Sequence, residues 1–155
     1  MIENCVLTNS NTTIRTSWYV VDNYYIRRIH IHTGVDVVAE SVYSICDGIV
    51  IYSGTELDGK HHTCVIQYDA SLVFQYSNLS DNQLDSGMYV YKGQLIGTAD
   101  HFVHVEALVA TAPDLVFPVT FNNITYYKID PTPYIDGRID LVSPTSYNQY
   151  KYQLK

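Results

Sequence analysis

Thr63-Cys64-Val65-Ile66-Gln67-Tyr68-Asp69-Ala70-Ser71-Leu72-Val73-Phe74-Gln75-Tyr76 reads as two strands folded back on each other about Asp69-Ala70. The flanks are β-branched and aromatic, which suits a half-buried pleated surface. Asp and Ser between them hydrogen-bond their own backbone in turns. The pattern repeats on both sides. Towards the N-terminus, residues 18–31 are rich in Tyr, Val and Ile, and Val35–Val38 and Ser41–Cys46 follow. Asp47-Gly48 then predicts a tight hairpin turn into Ile49–Tyr52, and Ser53–His62 an exposed loop or hairpin tip. Towards the C-terminus, Ser80–Gly87 reads as loop, Met88–Tyr91 and Gln94–Thr98 as short strands around Gly93, and Phe102–Val109 as a longer alternating strand. Beyond Pro113 come an apolar patch, a strand-like stretch at Thr125–Ile129 and a Pro-rich turn. No window sustains a 3.6-residue hydrophobic period, so little helix is expected. Short strands at regular turn spacing predict an all-β chain, an antiparallel sandwich or a partly closed barrel.

The chain has 155 residues, 46% of them hydrophobic, which is enough for one domain with a real core. Charged side chains are few, and 15 tyrosines with many Asn, Ser and Thr take their place. A net charge of −7 argues against nucleic acid or an anionic lipid surface as partner, since both want a basic patch. It is also a poor match for anionic wall polymers. The three cysteines, Cys5, Cys46 and Cys64, show no C-x-x-C spacing and no secreted disulfide framework. Cys46 and Cys64 fall in strand-like runs and read as small buried hydrophobes, with a bond between them left open. Met1-Ile2-Glu3-Asn4-Cys5 has neither a basic nor an apolar signal region, so no signal peptide is expected. No apolar run approaches the ~20 residues that would cross a bilayer, so membrane insertion is not expected.

His32-Thr33-Gly34-Val35-Asp36 and Val103-His104-Val105-Glu106 carry the chemistry. A histidine and an aspartate four apart, joined by a histidine on a distant apolar strand, could supply three ligands to one zinc ion. Zinc takes imidazole nitrogen and carboxylate oxygen readily, and three protein ligands leave a fourth position open. His30 shares a strand face with His32, and Glu106 one with His104; both are candidates to orient a ligand from behind. The plainer reading makes His32 and Asp36 a structural pair with no metal. His61 and His62 are expected on an exposed loop. His101 neighbours Phe102 on a strand and should point away from His104. Gly87, Gly93 and Gly97 serve backbone conformation, since no helix start follows them to cradle a phosphate.

These pieces, in order, resemble the M23 peptidases, the lysostaphin-like (LytM-like) zinc endopeptidases of peptidoglycan. The residues that carry the resemblance are His32-Thr33-Gly34-Val35-Asp36, Cys46-Asp47-Gly48-Ile49-Val50, Gly87 through Gly97, Phe102-Val103-His104-Val105-Glu106 and the closing Ile129-Asp130-Pro131. The resemblance implies a two-layer antiparallel β-sheet core over residues 26–135, preceded by an extension or edge strand (1–25) and followed by a polar, Tyr-rich tail (136–155). It also implies that His32, Asp36 and His104 hold zinc. Two further histidines do the family's proton work, one in H-x-H and one in Y-x-H-L. Phe102 and Asn78 stand in those places here.

Zinc lowers the pKa of a water it holds to about 7. Amide cleavage also needs the oxyanion stabilised and a proton delivered to the leaving nitrogen. Asn78 could donate a hydrogen bond but cannot shuttle a proton, and Phe102 can do neither. Losing general acid–base help costs roughly 10²–10⁴-fold in rate. The expectation is therefore a degenerate M23 domain, a structural or cell-wall-docking component of a bacteriophage tail tip or baseplate. It would be made in the host cytoplasm, carried in the virion and assembled with other tail proteins in an oligomer. The alternative is an active zinc endopeptidase that cuts peptidoglycan cross-links, with Asn78 or His30 doing a diminished version of the histidine's work.

Overall fold

A computed structural model of the protein describes residues 13–19, 21–22, 30–114 and 116–135. Along the chain its strands are β1 (Ile14–Thr16), β2 (Val21–Asp22), β3 (His30–Ile31), β4 (Val35–Val38), β5 (Ser41–Tyr43), β6 (Gly48–Thr55) and β7 (His62–Gln67). They continue with β8 (Leu72–Leu79), β9 (Asp81–Asn82), β10 (Tyr89–Val90), β11 (Leu95–Thr98), β12 (Phe102–Val109), β13 (Pro118–Phe121) and β14 (Ile124–Ile129). One helical turn, α1 (Thr132–Ile135), closes the described chain. No helix among the described residues is long and apolar enough to cross a membrane.

The large sheet runs β1-β4-β12-β8-β7-β6-β10, with β14 beside β12 and β13 beside β14. Its pairings are antiparallel. The hairpin about Asp69 forms as the sequence predicts, with Ile66 opposite Phe74. Asp69 Oδ1 accepts hydrogen bonds from the Ser71 and Leu72 amides at 2.8 and 2.9 Å. β12 is the strand on which the rest depends. It pairs along one edge with β8, and along the other with β4 at its start and β14 at its end.

The Asp47-Gly48 hairpin expected from sequence does not form. β5 pairs with β11 in a separate three-stranded sheet, β5-β11-β9, whereas β6 lies between β7 and β10 in the large sheet. Tyr43 faces Leu95 and Ile49 faces Tyr89, so one antiparallel register runs through from one sheet into the other. Residues 44–47 and 91–94 are the paired corner where both strands turn. Gly93 N–H donates to the Ser44 carbonyl at 2.8 Å, Ser44 N–H to that of Gln94 at 2.9 Å, and Lys92 N–H to Asp47 Oδ1 at 2.7 Å. Gly48 is required by strand approach instead of by a turn, since a Cβ there would lie 2.3 Å from the Gln67 carbonyl oxygen.

The main core lies between the two sheets and gathers Val103, Val105 and Ala107 of β12, Phe74 and Tyr76 of β8, Val42 of β5 and Ile96 of β11. Tyr76 is fully buried and its hydroxyl accepts the Ile45 N–H at 2.9 Å, pinning β8 to the corner. Cys46 and Cys64 both sit in this core as free thiols, which closes the disulfide question left open by sequence. A smaller cluster of Val65, Val73, Leu108 and Tyr126 occupies the opposite face of the large sheet. The strand reaching Thr55 and the one starting at His62 make the exposed tip shorter than expected, and β9 and β13 fall where the sequence suggested loop and apolar patch. The Tyr-rich tail, 136–155, lies outside the described residues.

Candidate metal centre

Alternation along two strands carries three polar side chains to one place. Val35 and Val37 of β4 point into the core, so Asp36 points to the other face; Val103 and Val105 do the same for His104 on β12. The β4–β12 register sets His104 directly opposite Asp36, and His104 Nδ1 stands 2.7 Å from Asp36 Oδ1. His32, just before β4, brings its Nε2 to 3.2 Å from the same oxygen. One ligand atom from each of His32, Asp36 and His104 lies within 4.8 Å of the others, and among the described residues they form the one such group of three.

Each imidazole is held from behind. His32 Nδ1 is 3.0 Å from the Ser17 carbonyl, which can only accept, so that nitrogen carries the proton. His104 Nε2 is 3.1 Å from Glu106 Oε1, a carboxylate further held by Lys128 Nζ at 3.0 Å. Lys128 Nζ also donates to Thr33 Oγ1 at 3.2 Å. Asp36 Oδ2, on the side away from the histidines, faces Arg15 at 3.5 Å. Gly34 leaves room for the His104 ring, because a Cβ would lie 2.6 Å from its Cε1.

The electrostatics follow from these contacts. Burial opposes ionisation of Asp36, but hydrogen bonds from His104 and His32 outweigh it and hold the carboxyl well below the usual range. Burial opposes charge on His104, but its bonds to Asp36 and Glu106 push its pKa up to about 9. Burial raises the Glu106 pKa, and His104 and Lys128 lower it further than burial raises it. Glu106 Oε2 remains buried with no hydrogen-bond partner among the described residues.

The donor set fits a zinc ion. With Nδ1–H given to the Ser17 carbonyl, His32 turns Nε2 towards Asp36 Oδ1 at 3.2 Å, a gap that a proton or a metal ion bridges. Donation of His104 Nε2–H to Glu106 likewise frees Nδ1 on the side of Asp36. A ligand histidine whose other nitrogen is bound by a carbonyl or carboxylate is the usual arrangement at zinc. His32 Nε2, Asp36 Oδ1 and His104 Nδ1 would hold the metal.

Asn78 and Phe102 lie side by side at the end of the β8–β12 ladder. Asn78 takes a left-handed φ of 65°, and its Nδ2 donates to the Phe102 carbonyl at 3.0 Å. Its backbone N–H donates to Glu56 Oε2 at 2.9 Å. His61, expected on an open loop, is half-buried and pairs with Asp58, with Asp100 Oδ2 3.9 Å from its Nε2. His62 opens β7 opposite Leu79, and His101 is exposed just before β12. The side chain of His30 lies outside the described residues. Sequence reasoning singled out neither Arg15 and Ser17, in a segment read as an extension or edge strand, nor Lys128, one polar residue in an alternating strand. No local pattern marks them; only the fold carries them to His32, Asp36 and Glu106.

The profile of peptidase family M23 matches residues 30–128. No curated protein matches the chain. Among solved structures, a zinc-containing peptidase from Vibrio cholerae is 22% identical with a TM-score of 0.54. That match covers 66% of this chain and only 35% of the larger one, so the chain spans about a third of that relative's length. A mutant catalytic domain of the prophage-encoded M23 protein EnpA from Enterococcus faecalis is 18% identical, with a TM-score of 0.59 over 80% of this chain and 92% of that one. The SpoIIQ–SpoIIIAH pore-forming complex is matched at 15% identity, with a TM-score of 0.58 over 80% of this chain and 84% of that one. At these identities the likeness concerns the fold.

Proposed function

Because this chain belongs to peptidase family M23, we propose that it is a zinc-binding module of that family which has given up proton transfer and serves as a structural or wall-docking part of a phage tail tip or baseplate. The observation that carries this reading is the Asn78–Phe102 contact. Where the resemblance calls for two imidazoles, the chain has an amide bonded to a backbone carbonyl and a phenyl ring. Neither group moves a proton. The fold is shared with a prophage-encoded M23 protein, which supports a phage setting, and with a chain of a pore-forming complex, which supports a role within an assembly. Zinc, when bound, would polarise a peptide carbonyl and supply hydroxide near neutral pH. Asp36 and the two histidines would fix it, Ser17 and Glu106 would orient the rings, and the site would hold a wall peptide without cutting it at a useful rate.

A second reading, an active peptidoglycan endopeptidase, is favoured by the completeness of the His32–Asp36–His104 group and of the partners behind it. Two measurements separate the readings. Elemental analysis after a zinc soak and desalting is expected to give about one zinc per chain, lost in His104→Ala. Purified wall should then sediment the zinc-loaded protein without releasing new amino groups. Release that His104→Ala abolishes would replace the structural role by the enzymatic one, and absence of zinc would end the peptidase reading and leave a fold kept for its shape.

A further inference from the structure

Among the described residues, Arg15 is the cationic group nearest the candidate metal ligands. It stands on β1, before the stretch matched to the family. Its guanidinium carbon lies 4.3 Å from the centroid of the Phe102 ring, and one nitrogen is 3.5 Å from Asp36 Oδ2. The side chain is nonetheless 44% exposed, while Asp36 is only 7% exposed. Phe102 thus acts as a platform that holds a permanent positive charge at the rim of the centre, on the opposite side of the Asp36 carboxylate from the histidines. We propose that Arg15 is an anchor for the free C-terminal carboxylate of a short peptide bound beside Asp36. The peptide nature of the ligand rests on the reading in the preceding subsection.

Chemistry points to a carboxylate. A guanidinium offers five N–H donors in a planar fork that matches a carboxylate two-pronged, and the long contact to Asp36 engages one nitrogen. A dianion such as phosphate would meet Asp36 and Glu106 nearby and a chain of net charge −7, whereas a monoanion is repelled less. Stacking on Phe102 keeps the fork flat and pre-aimed, so less side-chain freedom is lost on binding.

Calorimetric titration of the zinc-loaded full chain with D-alanyl-D-alanine and with its C-terminal amide tests this. Wild type is expected to bind the acid about tenfold or more tighter than the amide, the order expected for one charge-assisted hydrogen bond. Arg15→Ala should bring the ratio to about one, Arg15→Lys should retain part of it, and Phe102→Leu should reduce it. Equal binding of acid and amide by wild type, binding of neither, or an unchanged ratio in Arg15→Ala overturns the anchor. A purely structural Arg15–Asp36 pair would lower Tm in Arg15→Ala and show no acid preference to lose. Zinc content measured on the same samples keeps the two readings apart: zinc without acid preference removes only the anchor, and acid preference without zinc removes only the metal centre.

Discussion

Asp36 and His104 are direct cross-strand neighbours on β4 and β12, and the 2.7 Å between Oδ1 and Nδ1 follows from that register. The centre is therefore built on a strand ladder and not on a loop. A slip of one residue between the two strands would turn every side chain of one of them to the other face and dismantle the site. Four consequences can be measured.

The first concerns Gly34, which lies between two ligand residues. A Cβ there would lie 2.6 and 2.7 Å from His104 Cε1 and Nε2, and 2.7 Å from the Val105 carbonyl oxygen. One of these neighbours is backbone and cannot swing away. Overpacking of this kind costs about 1–3 kcal/mol. Gly34→Ala is expected to lower Tm and to weaken zinc binding by roughly tenfold or more, the usual cost of disturbing a ligand's setting. Wild-type zinc affinity by equilibrium dialysis would show that the ring has room to move.

The second concerns pH. His104 has its pKa raised from 6.5 to about 9 in the folded chain. A raised folded pKa contributes stability that is full below about pH 6.5 and is lost as pH rises through about 9, on the order of 3 kcal/mol across that window. Metal-free protein should melt at progressively lower temperature between those limits, and His104→Gln should flatten the curve. Zinc needs the unprotonated Nδ1, so its apparent affinity should rise over the same range. Calorimetric scans in chelator and zinc titrations at three pH values check both signs.

Thiol chemistry supplies the third. Burial pushes the pKa of Cys46 and of Cys64 up to about 12, so almost no thiolate exists at neutral pH. In a Cys5→Ser background, a thiol reagent should label neither residue in the native protein and both in denaturant. Rapid native labelling would contradict their place in the core.

The fourth addresses the two altered positions. Asn78 adopts a φ of 65°, a region that His also tolerates better than most side chains, so the backbone accepts Asn78→His. Combined with Phe102→His, it should raise release of amino groups from purified wall by about 10²-fold or more. No gain from the double variant would show that positions 78 and 102 do not carry the proton work assigned to them.

Much of the fold was legible in the residues. The bounds of β4 and β12 could be read directly, as could the hairpin about Asp69, because alternation and turn chemistry are properties of a few neighbouring residues. The spacing of His32 and Asp36, with His104 and Glu106 on one strand face, was equally readable, since a strand repeats every two residues. The corner at Asp47-Gly48 was not. An Asp-Gly pair between two strands looks the same whether they pair with each other or with distant partners, and here the partners are β10 and β11.

The sequence by itself determined an all-β chain and the identity of three candidate ligands, because periodicity and residue type are local. Only the tertiary structure decided that Ser17 and Glu106 hold the two imidazoles, that Lys128 backs Glu106 and that Arg15 rests on Phe102 beside Asp36. Those contacts join residues far apart in the chain through the register of β1, β4, β12 and β14, and register is settled by the burial of the whole sheet at once.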